Sequence, residues 1–421
     1  MKQLSFFDDF TEKIRELPLE ELFEAYIECR KKKRYTHNAL KFEVDYESQL
    51  IKLCNEINQG NYQPRSSIAF IVNKPVKREI FAADFRDRIV HHWLVNKLNP
   101  FFEKIFIYDS YACRKNKGTY FGIKRIYRFF RQCSQQYSKD CYILKLDIKG
   151  FFMHIDKEIL LNKLVHFINE KYTNKDKQLI LEICRLIINN NPTQNVIIKG
   201  HKNNWNGLPS NKSLFHSPAN CGLPIGNLTS QVFANFYMND FDHYIKHTLG
   251  IRYYGRYVDD FVIIHENKEF LKALIPKLSD FLLSELKLTL HPRKIYLQKY
   301  DKGIKFLGVV IKPYRLYIAN RTKGNFYTSI EQHNRISRDH RPSKAEQKKF
   351  QSSINSYLGI MKHYKTYLLR KKIISKYLSG WWWNYAYLKG GYMKFVLKKR
   401  NSKQQHLQSN CKINTARKTS M

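Results

Sequence analysis

The sequence predicts an α+β fold in which helices cover one face of an antiparallel sheet. Two observations carry this. The elements between residues 142 and 318 read in the order β-α-α-β-β-α-β, and two short β-rich runs, 251–257 and 261–265, stand as a hairpin around Val258, Asp259 and Asp260. A chain of 421 residues, 43% hydrophobic and 14% aromatic, is long enough to bury a sizeable core around such a sheet.

The elements follow in order. Leu17, Leu22, Phe23, Tyr26 and Ile27 recur at helical spacing in the acidic start of the chain, which predicts a docked helix. Residues 142–147 (YILKLD) read as a short buried strand, followed by a helix from Lys157 to about Lys171. Residues 227–248 predict one helix, capped by Asn227 or Thr229, with Val232, Phe233, Phe236, Tyr237, Phe241 and Tyr244 on one side. A further helix spans 268–286, where Pro276 should break or kink it. A strand pair near 304–318 contains Gly308. From about 326 the chain reads as helical and basic up to Trp381-Trp382-Trp383, a cluster expected in the core rather than stacked on bases. The residues from Lys398 onward are basic and aperiodic, which predicts a mobile tail.

Charge narrows the partners. Lys and Arg number 74 against 36 Asp and Glu, a formal net of +38, which repels itself in a compact state and points to a polyanion, nucleic acid first. An anionic membrane surface competes, but there is no long uncharged apolar run, no apolar leader segment and no basic amphipathic anchor, so no membrane association is expected. The eight cysteines include no Cys-x-x-Cys pair, so a reduced, cytoplasmic protein without structural zinc is expected.

Against this basic background the carboxylates are informative. Asp147 ends an apolar strand, and Asp259-Asp260 sit in the turn of an apolar hairpin. Strand ends of one sheet bring such groups together, where they repel unless cations neutralise them. Hard oxygen ligands in an open site suit two Mg²⁺ ions (or Mn²⁺), which clamp an in-line phosphoryl displacement. Taken alone, an Asp-Asp pair is more often an ordinary polar turn.

The surrounding strings change that weight. YGRYVDDFVII (254–264) carries a Tyr-x-Asp-Asp box between apolar strands, ILKLDIKGFF (143–152) places an aromatic five residues after an Asp, and GLPIGNLTSQ (222–231) contains Leu-Pro-x-Gly. Together, in this order, they resemble reverse transcriptases over roughly residues 60–400. The resemblance implies a right-hand polymerase fold: an N-terminal helical segment at 1–60, fingers at 61–140 with part of 160–220, a palm of antiparallel sheet packed by helices at 141–318, a helical thumb at 319–400 and a basic tail at 401–421.

It also implies residue roles. Asp147 and Asp259 would bind both metals, with Asp260 adjacent and the Ile148 backbone carbonyl contributing. Lys294 in LHPRKIYLQ (290–298) would donate a proton to the leaving pyrophosphate. Lys74 and Arg78, in IAFIVNKPVKREIFAADFRDRIVHHW (68–93), would grip the incoming deoxynucleoside triphosphate, with Arg86 and Arg88 nearer the primer-template or in core ion pairs. Phe152 would leave no room for a 2′-hydroxyl, and Gly226 would let the backbone approach the nascent pair. Arg114 and Lys117 in YACRKNKGT (111–119), with Gln231 and with Gly308 of FLGVVI (306–311), would meet template and primer.

Finer matches, IGNLTSQ (225–231), IFAADFRDRIVHHW (80–93), WNGLPSNKSLF (205–215) and NSYLGIMKHYKTY (355–367), resemble reverse transcriptases of diversity-generating retroelements. That resemblance implies copying of a template-repeat RNA into adenine-mutagenised cDNA, with an accessory variability determinant, a small basic pentamer, as partner for the acidic start of the chain. Ile225 stands where retroviral-type enzymes place Gln; an aliphatic side chain offers the incoming nucleotide no hydrogen bond and so polices mispairs less tightly. The basic stretch after residue 400 leaves no expected RNase H domain. The alternatives are a group II intron or retron-type enzyme, an RNA-dependent RNA polymerase (which Phe152 disfavours), and a catalytically silent RNA-binding protein on the same fold.

Overall fold

Residues 142–147 and 260–265 are short apolar runs whose centres are buried on both faces, and each run has an acid at the same end of the sheet. The structure, a computed structural model, describes residues 17–31, 36–73 and 76–398. The chain divides into two compact units, Met1–Lys302 and Gly303–Met421.

The first unit runs α1 (Leu19–Arg30), α2 (His37–Glu43), α3 (Tyr46–Asn58), β1 (Ser67–Val72), β2 (Arg78–Ala82), α4 (Phe85–Ile105), α5 (Thr119–Cys133), β3 (Tyr142–Asp147), α6 (Phe151–His154), α7 (Lys157–Lys171), α8 (Lys177–Asn189), β4 (Val196–Ile198), α9 (Leu228–Tyr237), α10 (Asn239–His243), β5 (Tyr253–Tyr257), β6 (Asp260–His265), α11 (Lys268–Leu286) and β7 (Tyr296–Lys299). Its main sheet is antiparallel with order β5-β6-β3-β7. Leu144, Leu146, Phe261 and Ile263 point one way into a core shared with α7, α9, α10 and α11. Successive side chains face opposite sides of a strand, so Lys145, Asp147 and Asp260 share the other face. This is the α+β arrangement expected of the sequence. A smaller sheet, β2-β1-β4, pairs β1 antiparallel to β2 and parallel to β4.

Four local readings are corrected. The helix expected over 227–248 is α9, then α10, then a π-helical turn at Tyr244–Thr248. Asn227 does sit at its start but makes no side-chain cap; its Oδ1 instead accepts from the Ala83 N–H at 3.0 Å, tying α9 to the end of β2. Pro276 does not break α11. Leu271, Leu274, Leu278, Leu282 and Leu286 form one buried stripe, and burying leucines at about 1.5–3 kcal/mol each outweighs the roughly 3 kcal/mol cost of an interior proline. On α1, Leu22 and Tyr26 are buried as expected, while Phe23 and Ile27 are exposed.

The second unit holds β8 (Ile304–Phe306), β9 (Val309–Lys312), β10 (Arg315–Ile318), α12 (Asn320–Asp339), α13 (Lys344–Met361), α14 (Tyr367–Tyr377), β11 (Ala386–Lys389) and β12 (Lys394–Leu397). Residues 303–318, read from sequence as the end of the palm, thus fall within it, as a three-stranded meander rather than a strand pair. The helical reading up to the tryptophans also missed the β11–β12 hairpin that follows them. Of the tryptophans, Trp382 is core, stacked on Phe350 at 3.9 Å between centroids, while Trp381 is exposed. The basic tail lies outside the described residues, and no helix among the described residues is long and apolar enough to cross a membrane.

Candidate active site

The β5–β6 hairpin turns through only two residues, because Tyr257 already pairs with Asp260. Val258, the first of the two, has φ 59°. A β-branched side chain in the left-handed region is strained by about 1–3 kcal/mol, so something must hold it there. That restraint is Arg256, fully buried two residues earlier on the core-facing side of β5. Its Nη1 donates to the Val258 carbonyl at 3.0 Å and to Asn235 Oδ1 at 3.3 Å. Nε and Nη2 donate to the two carboxylate oxygens of Asp242 at 2.7 and 2.5 Å, and Nη2 also to Ser110 Oγ at 3.4 Å. All five guanidinium donors are therefore used. Burial works against the charge, but Asp242 more than offsets it and leaves the Arg256 pKa raised. Gly255 is required on the opposite side of the strand, where an added Cβ would lie 2.2 Å from the Tyr111 hydroxyl.

Asp147 stands in register with Asp260, and the Ile148 N–H donates to the Asp259 carbonyl at 3.2 Å, so the three acids are brought to one end of the sheet. Burial, together with the Asp147 charge, pushes Asp259 up to about 6. Burial, only partly countered by Lys145, pushes Asp260 up to about 7. Two lysines already lean on these acids. Lys294 Nζ lies 2.7 Å from Asp147 Oδ1, and Lys145 Nζ lies 3.0 Å from Asp260 Oδ2. Among the described residues no group of three or more His, Cys, Asp or Glu side chains stands at metal-ligand spacing. The donor set still suits a hard cation. Its ligands are carboxylate oxygens, Asp260 Oδ1 is buried without a hydrogen-bond partner, and two of the acids are held back from ionising by their surroundings.

Phe152, Ile225 and Trp205 each pack against an apolar cluster of Ala69, Phe81, Met153 and Leu214. Gly226 has φ 135°, and a Cβ there would come within 2.8 Å of the Phe81 carbonyl; the close approach it permits is to β2. The Phe81 N–H donates to the Ile225 carbonyl at 2.8 Å. Arg78 on β2 is exposed, and its charge helps to lower the Asp259 pKa. Lys74 lies outside the described residues.

The remaining expected residues are placed as follows. Arg114 does not point free towards a template: it is committed to Glu103, at 2.8 Å through Nη2, and to the Ile107 and Ser110 carbonyls at 2.6 and 3.1 Å. Lys117 lies 3.5 Å above the Tyr108 ring and donates to the Tyr108 carbonyl. Gln231 accepts from the Cys113 thiol at 2.9 Å, next to that loop. Gly308, with Leu307, makes the tight β8–β9 turn, both at positive φ. Arg86 pairs with Glu56 as a core ion pair, and Arg88 Nε donates to the Ala83 carbonyl.

Sequence reasoning missed Arg256, Asp242, Lys145 and Glu79. Glu79 is buried and accepts from Trp205 Nε1 and Ser213 Oγ at 2.7 Å and from the Leu214 N–H at 2.5 Å, which anchors the 205–215 string to β2. For Arg256 a signal existed: it shares the inward phase of β5 with Tyr254, where a charge demands a buried partner.

Over residues 74–311 the chain matches the family model described as Reverse transcriptase (RNA-dependent DNA polymerase). It is 21% identical over 303 residues to Protein YkfC of Escherichia coli (strain K12), covering 64% of this chain and 72% of that protein. Among solved structures it is similar to apo telomerase from Candida tropicalis, at 12% identity and TM-score 0.46 over 78% of this chain and 64% of that one. It is also similar to telomerase from Candida albicans in complex with a TWJ fragment of telomeric RNA, at 13% identity and TM-score 0.42 over 80% of this chain and 64% of that one. The chain spans less than two thirds of the length of these telomerase chains.

Removing Asp242 strands a buried guanidinium, so Asp242→Asn should cost about 3–5 kcal/mol of stability, read by urea denaturation. The double variant Asp242→Leu, Arg256→Met should regain stability but not primer extension, since Val258 loses its restraint; extension at the wild-type rate would contradict this. The shifted acids make a second forecast. Folded Asp259 and Asp260 keep protons at pH values where the unfolded chain has lost them, so their contribution to stability declines as pH rises from about 4 to about 7. In chelator, the melting temperature of Asp260→Asn should fall less across this window than that of the wild type, and parallel profiles would refute the assignment.

Proposed function

Because the chain belongs to the reverse transcriptase (RNA-dependent DNA polymerase) family, we propose that it copies a template RNA into cDNA at the Asp147–Asp259–Asp260 end of the sheet. The observation that carries this is the register of Asp147 with Asp260 beside a hairpin turn whose backbone is fixed by a saturated buried arginine. Asp147 and Asp259, with Asp260 and the Ile148 carbonyl alongside, would hold two Mg²⁺ ions (or Mn²⁺). When bound, such ions supply Lewis-acid stabilisation of the attacking and leaving oxygens.

The chain's own residues do the rest. Arg78, exposed and within charge range of Asp259, pairs with the triphosphate, and Lys74 reinforces it in this reading. Phe152 and Ile225 form the apolar wall against sugar and base. Lys294 Nζ is held at the reacting end by Asp147 and is the proton donor to the leaving pyrophosphate. Lys117 and Gln231 are assigned to the template and Gly308 to the primer.

The finer reading is a diversity-generating retroelement enzyme that mutagenises cDNA at adenines. It draws support from Ile225, which sits in an apolar cluster and offers no polar atom from its side chain. A small basic accessory variability determinant is the proposed protein partner. Glu21 is spent on Trp93 and Lys97, and Glu28 on Asn96. Glu20 and Glu24 remain outward on α1 beside exposed Phe23 and Ile27, a mixed acidic and apolar stripe suited to a basic surface.

Asp259→Ala should abolish primer extension on an RNA template while RNA binding persists; extension by that variant would remove the acids from the mechanism. Ile225→Gln should lower misincorporation opposite template adenine more than it changes total synthesis, measured by sequencing the cDNA. Equal adenine error rates in both enzymes would reject the role given to Ile225.

A further inference from the structure

Helix α5 has two unlike faces. Ile123, Ile126, Phe129 and Phe130 are buried inward, towards β5 and β6. Outward, Lys124, Arg128 and Arg131 follow at i, i+4 and i+7, all exposed. They line a groove of about 830 Å³ together with Tyr108, Tyr127 and Gln135, and no Asp or Glu lines it. From residue 111 to residue 139 the sequence holds eight Lys and Arg and no acid. Like charges one helical turn apart repel by a few tenths of a kcal/mol per pair, and no carboxylate in the groove relieves them. The aromatic rings fix the ammonium groups without neutralising them: Lys117 lies 3.5 Å above Tyr108 and Lys124 lies 4.4 Å above Tyr120.

We propose that this groove is a track for a single-stranded stretch of the RNA, separate from the carboxylate site; the proposal rests on the RNA-templated reading above. Cations that follow a backbone, interleaved with rings and amides that meet bases, are what unpaired RNA requires. The path has a direction. Gly118, which starts α5, bonds to Tyr111, and Tyr111 sits over Gly255 near the catalytic hairpin. The other end of α5 lies beside Ile264 and His265, and His265 pairs with Tyr142 at the far end of β3 from Asp147. Five strand steps separate these ends, about 17 Å at the usual rise. The groove therefore leads away from the acids, starting at the loop that carries Lys117. At its far end Gln135, Gln136 and Tyr137 take φ of 47°, 62° and 75°, a left-handed turn whose two glutamines line the groove.

The test uses the full chain carrying Lys124→Gln, Arg128→Gln and Arg131→Gln. Binding of a labelled, unstructured 40-nucleotide RNA should weaken by roughly ten- to a hundredfold near physiological salt, and the slope of log affinity against log salt should become shallower by about 2. Extension of a short pre-annealed primer-template hybrid should stay at the wild-type rate. Unchanged affinity and slope would overturn the proposal, and so would an equal loss of extension on the short hybrid, which would place these residues in the active-site cleft. Should the triple variant not fold, photo-crosslinking of wild-type protein to thiouridine-labelled RNA decides: crosslinks within 120–136 are expected, and their absence sinks the track. Displacement of RNA from the wild type by polyglutamate but not by unlabelled single-stranded RNA would also overturn it, in favour of an acidic protein partner. Failure of the wild type to extend any primed RNA template would instead count against the polymerase reading alone.

Discussion

A guanidinium and a carboxylate, both removed from water, lie directly beneath the two-residue turn that carries Asp259. Burying each ion alone costs several kcal/mol, and attraction recovers that only when every donor finds a partner. Here Arg256 satisfies all five: two on Asp242, and one each on Asn235, Ser110 and the Val258 carbonyl. The Tyr254 hydroxyl donates to the same Asp242 carboxylate at 2.6 Å. One side chain thus joins α9, α10, β5 and the loop before α5, and it transmits that rigidity to a strained turn. The acids are placed by side chains, Arg256 and Asp242, that are wholly buried in the core.

Charge is arranged in layers around this point. The chain as a whole is strongly basic, yet Asp259 and Asp260 are held above the usual carboxylate range, and two lysines stand against the site, Lys145 on Asp260 and Lys294 on Asp147. Lys145 comes from the same strand as Asp147, two residues away on the same face, so the strand that supplies an acid also supplies a counter-charge. The local balance tolerates the acids in the protein by itself while leaving Asp260 Oδ1 unmet.

Much of this was legible in the sequence because it depends on short apolar runs and the turn residues between them. The strand ending in Asp147, the hairpin around Val258-Asp259 and the α+β order follow from short-range pattern, and the structure has all three. What failed was decided by distant partners. Asn227 has the chemistry of a cap, but its oxygen is claimed by Ala83, 144 residues earlier. Pro276 is a helix breaker by local rule, and a leucine stripe overrides it. Arg114 reads as a phosphate ligand until Glu103 is seen beside it. Trp381 and Trp382 are neighbours in sequence and opposites in burial, because Phe350 and His333 receive the second ring. Glu79 gives no local hint that three donors from residues 205–214 converge on it.

The Gly226 loop has a mechanical corollary. It is fastened to β2 by the Phe81–Ile225 and Ala83–Asn227 hydrogen bonds, and it is too close there to admit even a methyl group. Any hinge motion of the strand that bears Arg78 must therefore carry Ile225 along as one rigid lever. Arg78 and Ile225 would then shift in a single movement, advancing and withdrawing together.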